Sequence, residues 1–252
     1  MKARCGGPAA CLVCQEDLER LGRMSEKPKQ KRILVVAAHH DDETLGCGAT
    51  MARLASQGHE VNVLVLGEGP SARDGMGDTY KDAIWHSVEA IKSLGGILYV
   101  NGVCGFPDNR FDTVPLLDVV KHIESMLKDL PDVVYTHHGG DLNIDHRIVH
   151  EATKTATRLY GPYPVKELYA YEVLGSTDCI LRREDAFVPT VYQEITQEQL
   201  GKKIQAMEMY ETERRAFPHP RSPEALRAQA TYRGAQAGLM AAEAFQLVRG
   251  IR

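Results

Sequence analysis

A mostly parallel α/β sheet with helices on both faces is predicted by two features: short apolar runs alternate with stretches of helical periodicity, and the first and fourth runs end in polar loops. The first run, residues 33–38, reads as a strand, and 61–66, 97–100 and 132–136 repeat the pattern. Between them, residues 44–57, 79–94 and 116–130 carry apolar positions at helical spacing, with Gly58 and Gly95 where helix C-caps belong. A further helix is predicted over 145–159, closed by Gly161-Pro162-Tyr163-Pro164. Residues 165–173 and 186–195 read as strands, and 197–213, 223–233 and 237–249 as helices, giving a C-terminal helical and β extension. The unit is Rossmann-like, but its first loop is His-His-Asp-Asp-Glu and not a Gly-x-Gly-x-x-Gly phosphate cradle, so no dinucleotide is predicted.

With 252 residues, 43% hydrophobic and 25% charged, the chain is long enough to bury a core without disulfides and too apolar to be disordered. Thirty Lys and Arg against thirty-four Asp and Glu leave no basic footprint for nucleic acid. No apolar run approaches the ~20 residues of a membrane span. Lys2 is followed by no apolar signal region, so a cytoplasmic location is expected. Residues 1–32 read as an N-terminal extension and 33–252 as the functional domain. Cys5, Cys11 and Cys14 offer three quarters of a metal knuckle with no nearby fourth ligand, while Cys47, Cys104 and Cys179 read as buried reduced thiols.

His39-His40-Asp41-Asp42-Glu43 follows the first strand, and His137-His138-Gly139-Gly140-Asp141-Leu142-Asn143-Ile144-Asp145-His146 follows the fourth. Ligands of parallel sheets bind at the carboxyl ends of the strands, so both loops should meet at one edge. A His and an Asp from the first and a His from the second would make three zinc-type ligands with a fourth position open to water, a catalytic arrangement. The competing reading is that Asp41 or Asp42 serves only as an N-cap.

At these residues the chain resembles the PIG-L/LmbE family of zinc-dependent N-deacetylases. Its leading motif, Ala-His-Pro-Asp-Asp-Glu, stands here as Ala38-His39-His40-Asp41-Asp42-Glu43, and its second motif as Asn143-Ile144-Asp145-His146-Arg147. His40 replaces the usual Pro, Asn143 stands where some relatives carry a His, and Pro218-His219-Pro220-Arg221-Ser222 matches one branch. The resemblance implies zinc held by His39, Asp42 and His146, with Asp41 as general base. The chemistry agrees: zinc lowers the pKa of water toward ~7, and a carboxylate beside it can take the remaining proton during attack on an amide. Asp145 is either a partner that orients a ligand imidazole or an N-cap. The implied substrate is a small N-acylated, above all N-acetylated, amino sugar or its glycoconjugate.

His219 is a candidate donor to the tetrahedral intermediate. Arg73, Asp108, Asn109 and Arg110, in loops after the second and third strands, are candidates for sugar hydroxyls, as are His40, His137, His138 and Asn143. His150 has i,i+4 spacing from His146 but lacks the zincin Glu. Trp85, His59, His86 and His122 read as structural. Two other functions use the same residue types: a two-metal phosphoester hydrolase, which needs about six or more ligands, and a metal- or sugar-binding module without catalysis. The Ala- and Leu-rich C-terminal helices offer a surface for a homo-oligomer. Because the motifs begin after residue 32, deletion of 1–31 is expected to leave turnover within about tenfold of the full chain, measured as amine release.

Overall fold

The computed structural model describes residues 29–69, 80–99, 105–129, 131–179 and 182–251. The strands are β1 (Arg32–Ala37), β2 (Glu60–Val65), β3 (Ile97–Leu98), β4 (Val133–His137), β5 (Glu167–Tyr171), β6 (Val191–Glu194) and β7 (Ala242–Gly250). The helices are α1 (Asp42–Ser56), α2 (Tyr80–Ser93), α3 (Leu116–Met126), α4 (Ile144–Ala156), α5 (Gln197–Met209) and α6 (Pro223–Ala237). Seven strands form one sheet in the order β3-β2-β1-β4-β5-β7-β6. The first five are parallel, and β7 pairs antiparallel with both β5 and β6.

Alternation along each strand builds two cores. Ile33, Val35, Val61, Val63 and Tyr135 face α1, α2, α5 and α6, whereas Leu34, Val36, Leu64, Val134 and Leu168 face α3 and α4. Burial on both faces explains why β1 and β4 are apolar runs and not alternating ones. Ile33 is level with Val133 across β1 and β4, so the loops after Ala37 and His137 leave the same edge. The strand order reverses direction between these two strands, the position at which such sheets form a crevice.

One predicted helix is a strand. Residues 237–249 are rich in helix formers, yet α6 runs on to Ala237 and stops at Gly238, whose φ of 71° is left-handed. Ala242–Gly250 then pairs between β5 and β6 and puts the Phe245 ring 5.0 Å from Tyr135. Pairing with two strands outweighs local helix preference. The strand predicted over 186–195 is reduced to Val191–Glu194, preceded by a 3₁₀ turn at Arg183–Asp185. Among the described residues no helix is long and apolar enough to cross a membrane.

Close packing of α1 on the sheet depends on Gly46. A Cβ there would overlap the ring of buried Tyr171, whose hydroxyl donates to the Val36 carbonyl at 3.0 Å. Gly46→Ala is therefore expected to lose about 1–3 kcal/mol in urea unfolding despite the better helix propensity of Ala.

Candidate metal centre and cavity

β1 delivers His39 to the sheet edge, and α1 starts at Asp42, so these two side chains meet at the start of the helix. His39 N–H donates to Asp42 Oδ2 at 2.8 Å. The same oxygen lies 3.1 Å from His39 Nδ1 and 3.2 Å from His146 Nε2, and the two nitrogens are 3.3 Å apart. Donors about 2.0–2.1 Å from one tetrahedral ion stand about 3.3 Å apart, so this triangle fits a metal.

The far sides of both rings are held by carboxylates. His39 Nε2 lies 2.9 Å from Asp145 Oδ2, and Asp145 is anchored in turn by the Asn109 and Phe111 amides at 2.7 and 3.0 Å. Asn143, not Asp145, is the N-cap of α4. Asp141 Oδ1 lies 3.2 Å from His146 Nδ1 and accepts from the Asn143 amide and Ser176, while Thr177 donates to Oδ2. Burial opposes the charge on Asp141, but hydrogen bonds from His146, Ser176 and Thr177 bring its carboxyl down to about 2. Burial likewise opposes protonation of His146, yet Asp42 and Asp141 raise it to about 9. A cation held by this triangle would have to displace the proton that these carboxylates keep on His146.

Asp41 occupies the N-cap position of α1 with φ 109° and makes no capping bond with its side chain. Its carboxylate instead lies 3.2 Å from Arg221 Nε, and Arg221 also pairs with Glu213. Burial pushes the Asp41 pKa well above the ordinary carboxylate range, with Arg221 opposing. The Asp41 amide donates to Glu43 Oε2 at 3.3 Å, and Thr44 and Tyr210 hydroxyls donate to Glu43 Oε1. Burial and the neighbouring Glu43 carboxylate hold the Tyr210 phenol protonated.

These groups open into a cavity of about 760 Å³ built from the loops after β1 to β5 and the segment after α5. His40, Asp108, Asn109, Asn143 and His219 line it. Burial, then the neighbouring His39, lowers His40 to about 4, and its Nδ1 lies 2.6 Å from Ser87 Oγ. Asn143 Nδ2 donates to Asn109 Oδ1 at 3.1 Å, so the two amides brace one wall.

Three expected substrate contacts lie elsewhere. His137 is buried behind the centre, where its Nε2 accepts the Ala38 amide at 2.9 Å and its ring stacks on His146 at 3.9 Å. His138 spends both ring nitrogens on Gln246 Oε1 and the Asp185 carbonyl, at 3.1 and 2.8 Å. Arg110 is exposed and is not among the cavity residues. His150 turns its Nδ1 to the His137 carbonyl at 2.8 Å, away from the triangle. Cys47 is buried, but Cys179 is exposed at the cavity wall, because the turn after β5 carries it outward. His86 lines the cavity instead of serving only as helix packing. Arg73, Cys104, Cys5, Cys11 and Cys14 lie outside the described residues.

Sequence reasoning passed over Asp141, Tyr210, Glu213 and Arg221. Asp141 stands in the His137–His146 loop and Arg221 in the Pro218–Ser222 stretch, where the His residues carry the stronger signal. Nothing in the spacing marked Tyr210 or Glu213, which reach the site from about 170 residues away along the chain.

The PIG-L family model, described as GlcNAc-PI de-N-acetylase, matches residues 34–157. An uncharacterized deacetylase, YaiS of Escherichia coli K12, is 30% identical over 197 residues, which cover 75% of this chain and 95% of that protein. The chain belongs to the PIG-L family. The fold is shared with N,N′-diacetylchitobiose deacetylase from Pyrococcus horikoshii, at TM-score 0.72, 18% identity, and coverage of 94% of this chain and 93% of that one. It is also shared with GalB, the 4-carboxy-2-hydroxymuconate hydratase of Pseudomonas putida KT2440, at TM-score 0.66, 23% identity, and coverage of 88% and 98%. The PIG-L fold thus carries more than one chemistry, and the site residues must argue for one.

Because Asp141 fixes the orientation of the His146 ring, Asp141→Asn is expected to weaken divalent-metal affinity about 10–100-fold, and also to lower thermal stability at neutral pH, where the depressed Asp141 pKa and the raised His146 pKa both favour the folded state. Equilibrium dialysis against zinc checks this.

Proposed function

We propose that this PIG-L protein is a zinc-dependent hydrolase that removes an N-acetyl group from an amino sugar or its glycoconjugate. The observation that carries this reading is the pairing of a three-donor metal triangle with an adjacent carboxylate, Asp41, that neither ligates nor caps. Zinc bound by His39, Asp42 and His146 would polarise an amide carbonyl and lower the pKa of water.

The chain supplies the proton handling and the orientation. Asp41 takes a proton from the attacking water as its oxygen bonds to the acyl carbon. Asp41 then returns a proton to the amine nitrogen as the C–N bond breaks, yielding the free amino sugar and acetate. Burial that raises its pKa suits both halves of this cycle. Arg221 holds the carboxylate in place through the Nε contact. His219 lines the same cavity, which supports a role as donor to the developing oxyanion. Asp108, Asn109, Asn143 and His40 supply the polar lining that sugar hydroxyls require.

The two-metal alternative has a specific site to consider, because His39, Asp108 and Asp145 form a second group of potential donors. That group shares His39, and both Asp145 oxygens already accept backbone amides. It therefore reads as the support of the first centre. One metal per chain by elemental analysis supports the amide hydrolase, and two would favour phosphoester hydrolysis.

Free amine should appear when the zinc-loaded protein is incubated with N-acetylglucosamine, N,N′-diacetylchitobiose or an N-acetylglucosaminyl inositol. No amine from any N-acetylated glycoside would overturn the reading. Asp41→Asn should keep one zinc and lose about 10²–10⁴ in rate, whereas Asp42→Asn and His146→Ala should lose zinc as well. Near-normal turnover of Asp41→Asn removes it as the base.

A further inference from the structure

Asp41 is held in a backbone conformation that residues with a Cβ seldom adopt, φ 109° and ψ −24°, and it is buried there. Its side chain gives the helix no cap, so the usual reason for an Asp at this position does not apply. Something else must keep the peptide turned. Its amide donates to Glu43 Oε2 at 3.3 Å, a carboxylate with no solvent exposure. Oε1 of the same carboxylate accepts from Thr44, at 2.6 Å, and from Tyr210.

Tyr210 comes from a distant part of the chain, at the C-cap of α5, and lines the cavity. Three residues on, Glu213 pairs with Arg221, and Arg221 touches the Asp41 carboxylate. The segment after α5 therefore reaches Asp41 twice, through its backbone by way of Glu43 and through its carboxylate by way of Arg221. We propose that Tyr210 and Glu43 are positioning residues that lock the Asp41 peptide, and thereby aim its carboxylate at the reacting water beside the metal triangle. The proposal rests on the base assignment of the preceding section. Neighbouring acids of like chemistry take different roles only if their directions are fixed, and a rotation of the 40–41 peptide, which carries the Asp41 N–H held by Glu43, would turn the Asp41 carboxylate away from the triangle.

The test uses the zinc-loaded full chain and the N-acetylated sugar with the highest turnover. Tyr210→Phe and Glu43→Gln should each lower kcat roughly tenfold or more, as expected for a misaimed catalytic group. KM should stay within about twofold and zinc at one per chain. The double variant should fall no further than the worse single variant, because both act on one brace. In an Asp41→Asn background Tyr210→Phe should cause no additional loss. Falls that multiply, that appear in KM or zinc content, or that recur undiminished in the Asp41→Asn background would overturn the brace while leaving Asp41 as base. Full activity of Asp41→Asn would instead remove the base assignment, and the brace with it. Should Glu43→Gln fail to fold, Tyr210→Phe in the two backgrounds decides the matter alone, with Tm and zinc content as controls.

Discussion

One carboxylate oxygen, Asp42 Oδ2, joins the two halves of the sheet at its crevice. It accepts the His39 amide and lies within 3.5 Å of ring nitrogens of His39, His146 and His137. His39 and Asp42 arrive from β1 and α1, His137 and His146 from β4 and α4. Burying that charge in isolation would be prohibitive, so the surrounding imidazoles, and a cation when bound, are what make the burial tolerable. The geometry around it follows: the outer nitrogens of His39 and His146 must be met by Asp145 and Asp141, and those carboxylates by backbone amides and hydroxyls.

The start of α1 shows where the fold accommodates irregularity for this purpose. A non-glycine residue at φ 109° costs on the order of 1–3 kcal/mol and persists only when its surroundings over-determine it. A second irregularity follows at Cys47, where φ is −146° inside the helix. There Lys203 donates to the Leu45 carbonyl at 2.7 Å, and Glu243 accepts the Ala49 and Thr50 amides at 3.2 and 2.6 Å. Lys203 and Glu243 also pair with each other at 2.6 Å, so the broken helical hydrogen bonds are taken up by a buried ion pair. α5 and β7 thereby contribute to the shape of the helix that carries Asp42, although neither supplies a triangle donor.

The cavity divides labour in a way that matches its construction. The triangle and its supporting carboxylates sit on strand ends and helix starts, the rigid parts of the sheet edge. The remaining walls of the cavity come from the loops after β2, β3, β4 and β5 and from the segment after α5. Relatives with the same fold can differ in substrate through those walls, and a hydratase on this fold shows that even the reaction can change.

Much of this was legible in order along the chain. The apolar runs identified the parallel strands because both faces of such a sheet are buried, and the two His/Asp loops stood out because each followed a strand directly. Residue types pointed to a His and an Asp from the first loop with a His from the second, and the family motif named them as His39, Asp42 and His146. The sequence was misleading where local preference competes with partners it cannot display. Residues 242–250 are composed like a helix and become a strand because β5 and β6 flank the position. His137 and His138 look like site residues and are spent on Ala38, Gln246 and Asp185. Tyr210, Glu213 and Arg221 reach Asp41 only when α5 packs over α1. Residue type and local spacing determine which groups are able to bind metal or move a proton; direction, burial and long-range contact, which only the tertiary structure sets, decide which of them are brought together.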